Sequence, residues 1–133
     1  MTLTNIGEYY GLNKALTATA DSDVLAHTGA VNRRKDSYLV FQVAEALTSS
    51  GNTATLSIDL ETDDNEDFSS LTSHTLATSI AEATLVTGYR VVFHLPFNAM
   101  EEYSRLELTV GTENFTAGSY TAYLTDAPDM NNI

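Results

Sequence analysis

At 133 residues the chain is long enough for one hydrophobic core, and its 43% hydrophobic content excludes a largely disordered protein. Eighteen acidic residues against six basic ones leave a net charge of -12, which repels phosphate backbones and argues against nucleic acid as a partner. Without cysteine there is no disulfide framework, thiolate metal site or thiol chemistry.

The opening residues, MTLTNIGEYYG, lack a basic stretch followed by an apolar one, so no signal peptide is expected. Residues 1–13 read as an N-terminal arm. Tyr9 and Tyr10 sit in it between Gly7 and Gly11 and are candidate contacts, either with the chain's own domain or with a neighbouring subunit. The domain is expected over residues 14–126. Short strands are predicted over 14–20 and 24–27, separated by the Asp21-Ser22-Asp23 turn. Arg33, Arg34 and Lys35 then gather half the positive charge of the chain, as a solvated loop or as a docking point for acidic groups.

Tyr38 to Val43 is apolar nearly throughout, the pattern of a central strand covered on both faces. Residues 44–47 extend it or form a helical turn, before the turn at Ser49-Ser50-Gly51-Asn52. Ala54, Leu56, Ile58 and Leu60 alternate with polar residues, so one face of this strand is core. Residues 62–70 form an acidic loop with Phe68 as its anchor. A weak edge strand is read at 74–78, a loop or short helix at 81–87, and a strand at 89–95 that Pro96 ends.

The stretch from Glu101 to Asp126 organises the reading. Leu106, Leu108 and Val110 alternate with Arg105, Glu107 and Thr109. A turn-rich connection follows, then a second strand over 120–124, and the two are expected to pair as a hairpin. Residues 127–133 read as a C-terminal tail. Seven or eight short strands at this spacing predict an all-β fold, an antiparallel two-sheet sandwich or a barrel. No apolar run is long enough to span a membrane, and no membrane partner is expected.

Chemistry-bearing patterns are sparse. His27, His74 and His94 are widely separated, and no HExxH, GxSxG, phosphate-loop or dinucleotide motif occurs. The reading is therefore no enzyme, with no catalytic residues and no cofactor. Asp63, Asn65 and Asp67 have the initial spacing of calcium-loop ligands, but Phe68 stands where such a loop needs glycine and His74 where it needs glutamate. The loop reads as a turn held by its own Asp and Asn side chains, and no metal is expected.

Five segments carry a resemblance: residues 15–29, 37–43, 53–70, 83–96 and 103–124. In order and spacing the chain resembles the jelly-roll capsid cement proteins of short-tailed bacteriophages, the type found in a Bordetella phage. The arm and tail lie outside the resemblance. It implies a jelly-roll decoration protein on the outer surface of the phage head, made in the host cytoplasm and bound across boundaries between major capsid subunits. It further implies a homo-oligomer, a homodimer ahead of a homotrimer. Tyr9, Tyr10, Arg33, Arg34 and Lys35 are the candidate interface residues. The alternative is a carbohydrate-binding or adhesion module of a virion, since jelly rolls also host lectins.

Overall fold

The computed structural model describes residues 8–26, 38–94 and 103–125. Nine strands fill most of that length: β1 (Glu8–Ala15), β2 (Ala20–Asp21), β3 (Leu25–Ala26), β4 (Tyr38–Thr48), β5 (Thr55–Asp63), β6 (Thr72–Ala81), β7 (Arg90–His94), β8 (Tyr103–Gly111) and β9 (Ala117–Thr125). A single 3-10 turn, Glu82–Thr84, separates β6 from β7.

Every pairing is antiparallel, and the pairings are nested. β5 pairs with β6, β4 with β7, β2 and β3 with β8, and β1 with β9. The chain is thus one long hairpin of hairpins. It rolls up because β9 also pairs with β4 and β8 with β5. Two sheets result, in the orders β1-β9-β4-β7 and β2-β8-β5-β6, with β3 continuing the β2 edge along β8. This is a jelly-roll sandwich. Ser22, between β2 and β3, keeps that interrupted edge attached: its backbone N–H donates to the Leu106 carbonyl (2.8 Å) and its hydroxyl accepts from the Leu106 N–H (2.7 Å).

The period-two residues fill the space between the sheets. Leu39, Phe41, Val43, Leu56, Ile58, Leu60, Leu106, Leu108, Tyr120, Ala122 and Leu124 form one buried cluster, joined by Ala54 and Leu47, with Val110 partly buried against it. Phe41 and Tyr120 stack at 5.5 Å between ring centres. Burial has pushed the Tyr120 hydroxyl up to about 12, so it stays protonated.

Two expectations change, and one open alternative is resolved. Residues 103–111 and 117–125 do not pair with each other; they lie in opposite sheets, because residues 112–116 cross the sandwich instead of turning a hairpin. Residues 8–13 are no arm but most of β1, laddered to β9. Residues 44–47 continue β4 as strand. The β4–β9 ladder carries two irregularities beside Glu45, and there Gly118 is required. Its φ is +122°, and a Cβ would come within 2.6 Å of the Ala46 carbonyl oxygen.

The outer edges are irregular. β1 shifts register twice along β9, as β6 does along β5, while β7 has five residues and the β2/β3 edge is split in two. No described helix is long and apolar enough to cross a membrane.

Candidate interaction surfaces

Each sheet has a second face that looks away from the core, and the two faces differ in chemistry. In a strand the residues between core positions point outward. On the β1-β9-β4-β7 sheet, one row runs across all four strands as Tyr9, Tyr123, Val40 and Val92. Tyr9 and Tyr123 meet with ring centres 5.6 Å apart. The next position pairs Tyr38 with His94, rings 4.9 Å apart. Val40 belongs to this face and not to the core cluster, yet it is 0% exposed. Gln42 and Thr121 continue the face, and Glu45 is the described acid paired into it, at the far end opposite Ser119.

On the β2-β8-β5-β6 sheet the corresponding row is Asp21, Glu107, Asp59 and Thr75. Three carboxylates stand side by side on adjacent strands, an arrangement that costs stability. Burial raises the Glu107 carboxyl above its ordinary value, and the neighbouring Glu61, Asp21 and Asp59 charges add to this. Arg105 offsets part of the charge. Its Nε donates to Glu61 Oε1 at 2.7 Å, its Nη1 lies 3.5 Å from Asp21, and its guanidinium lies 4.2 Å over the Phe68 ring.

Phe68 is thus the anchor of the acidic loop, buried at φ 55°. Asp63 holds that loop. One carboxylate oxygen accepts the backbone N–H groups of Asp64 (2.7 Å) and Asn65 (3.3 Å), and the other accepts that of Ser70 (2.8 Å). These bonds, Ser70's foremost, lower its carboxyl below the ordinary value. Asp67 accepts the Ser69 N–H. Among the described residues, no three His, Asp or Glu side chains converge on a position that could hold a metal.

The sequence-predicted contact residues separate. Tyr9 lies on the aromatic outer face. Tyr10 is core: it is fully buried, and its hydroxyl shares a 2.7 Å hydrogen bond with the Ser104 hydroxyl. It cannot serve as a surface contact, because successive strand residues face opposite ways and Tyr9 takes the outward one. Arg33, Arg34 and Lys35 lie outside the described residues.

Glu113, in sequence only a member of the turn-rich connection after β8, organises a whole end of the sandwich. Glu113 accepts the N–H groups of Gly51 and Thr53 (3.0 Å each), the Thr53 hydroxyl (2.5 Å) and the Ser50 hydroxyl (3.3 Å). It ties the β4–β5 turn to the β8–β9 crossing. The Thr53 hydroxyl foremost, then the two N–H groups, bring its carboxyl down to about 2. A nearby cleft of about 300 Å³, lined by Leu47, Leu85 and Val86, has its acid Glu82 already bonded to the Ser49 hydroxyl.

The fold and these surfaces define a jelly-roll domain with two broad and chemically distinct outer faces. A family model, Bbp16, matches residues 12–124, and the chain belongs to the Bbp16 family. That name suggests a Bordetella phage protein. Among curated proteins there is no significant match.

Proposed function

We propose that this protein is a capsid cement protein, which binds the outer surface of a tailed-phage head and stabilises contacts between major capsid subunits. The observation that carries the reading is membership of a phage-named family by a jelly roll whose titratable groups hold structure. Asp63 and Glu113 each bind backbone N–H groups of loops, and Arg105 offsets part of the charge of its own sheet. On this reading the role is structural and not catalytic. The acid excess suits a surface turned away from packaged DNA, and a rigid two-sheet body suits modest contacts repeated over a fixed lattice. Association with itself as a dimer at two-fold positions belongs to the same proposal.

The test is co-sedimentation of the purified protein with expanded, empty heads of the parent phage. Saturable binding and a higher head-rupture temperature are the expected results. A protein that ignores heads but binds host polysaccharide would replace this reading with an adhesion module.

A further inference from the structure

The crossing between the two sheets is short, and its backbone is strained. Residues 112–116 leave β8 at Gly111 and enter β9 at Ala117. The Glu113 N–H donates to the Gly111 carbonyl at 2.8 Å, and Thr112 between them has φ 71°. A three-residue turn whose central residue has positive φ is the rare, strained form of the γ-turn. Threonine suits it poorly, because a β-branched side chain crowds the backbone there. At the other end Gly118 has φ 122°, so residues at positive φ bracket the crossing.

Few contacts hold this segment closed. The Phe115 N–H donates to the Thr17 carbonyl (2.8 Å) and the Thr116 N–H to the Thr48 carbonyl (2.6 Å). The Thr116 hydroxyl donates to the same Thr48 oxygen (3.2 Å). Phe115 is buried in the core cluster, whereas Thr112, Asn114 and Thr116 are exposed. The Glu113 carboxylate supplies the remaining bonds, to Ser50, Gly51 and Thr53 of the facing turn. A segment with one buried ring and a single side-chain clasp has little to couple its opening to that of the β-ladders.

We infer that residues 112–116 form a strained strap, hinged at Thr112 and Gly118 and latched by the Glu113 carboxylate, which opens as a unit while both sheets stay folded. Opening relaxes Thr112, uncovers the Phe115 ring and releases the Ser50–Thr53 turn. The strain at Thr112 favours the open form, and the Glu113 bonds oppose it. The device belongs to this end of the sandwich and is independent of the cement reading.

Native-state hydrogen exchange of the Phe115 and Thr116 amides tests this, with amides of the β5–β8 ladder as the reference. In the wild type the two strap amides should exchange at a rate that low urea leaves unchanged, because a local opening exposes little surface. The ladder amides should exchange faster as urea rises. Glu113→Gln should speed strap exchange roughly tenfold or more, as expected for loss of charge-assisted bonds. Thr112→Gly should slow it roughly fivefold, because relief of the strained φ outweighs the added freedom of glycine in the open form. Strap amides that follow the ladder in urea would show that the crossing opens only with the whole domain, and the inference fails. Strap exchange unchanged by Glu113→Gln overturns the latch, and exchange as fast or faster in Thr112→Gly overturns the strained hinge. If Glu113→Gln does not fold, the wild-type urea dependence and Thr112→Gly decide the matter.

Discussion

The two sheets share one core and diverge completely on their outer sides. Leu56, Ile58 and Leu60 of one sheet meet Leu39, Phe41 and Val43 of the other by the same rule of alternation. Yet outward of β4 and β9 stand Val40 and Tyr123, whereas outward of β5 and β8 stand Asp59 and Glu107. The core therefore explains the fold but leaves both outer faces free to vary. A sheet that keeps three carboxylates abreast carries an electrostatic cost that packing does not require. The other sheet, whose outward row is Tyr9, Tyr123, Val40 and Val92, carries no such charge in that row. The contrast between them is where function is most economically sought.

The comparison breaks most severely if the shared core is cut. Leu108→Ala should cost about 2–5 kcal/mol, the range for a fully buried leucine, and both faces should be lost in one transition. Urea unfolding followed by tyrosine fluorescence, there being no tryptophan, measures it. Arg105→Ala should damage the acidic sheet alone. It strands Glu61, whose side chain is 7% exposed, among like charges, at about 3 kcal/mol. His94→Ala on the other sheet, an exposed site, should stay within about 0.5 kcal/mol.

Acid separates the two kinds of carboxylate. Glu113, held at about 2 in the folded protein, binds its proton more tightly when unfolded, so its contribution is present above its unfolded value near 4.5 and is lost as pH falls toward 2. Glu113→Gln should flatten the stability profile across that window. Glu107 behaves oppositely. Its raised value means that its charge opposes folding at neutral pH and that the opposition fades on acidification. Glu107→Gln should stabilise at pH 7 by a few tenths to about 1 kcal/mol, and the gain should vanish at low pH. The smallest expected effect is none: calcium should leave the melting temperature of the wild type unchanged, because both Asp63 carboxylate oxygens already accept backbone N–H groups.

Alternation made the faces of individual strands legible in the sequence, and Leu56, Ile58, Leu60, Leu106 and Leu108 are core as their spacing requires. It did not make partners legible. Period two says which way a side chain points, not which strand lies alongside, so β8 and β9 read as a hairpin although they face each other across the core. Tyr9 and Tyr10 show the same limit at one step. Either ring fits a core, and the choice is settled by Ser104, ninety-four positions away, whose hydroxyl meets that of Tyr10. Glu113 was illegible for a related reason: its partners, Ser50, Gly51 and Thr53, reach it only once the sandwich has closed. The acidic loop, whose holding bonds are local, was read correctly as a turn secured by its own aspartates.

The irregular outer strands bear on how the protein survives before it meets any partner. A sandwich, unlike a closed barrel, exposes rows of backbone donors and acceptors that invite another chain to add a strand. Among the described residues, two of these borders are kinked by register shifts, one is only five residues long and one is interrupted. None offers a long straight template for fibrillar growth. The irregularities that break these borders thus also lower the tendency of copies to pair edge to edge.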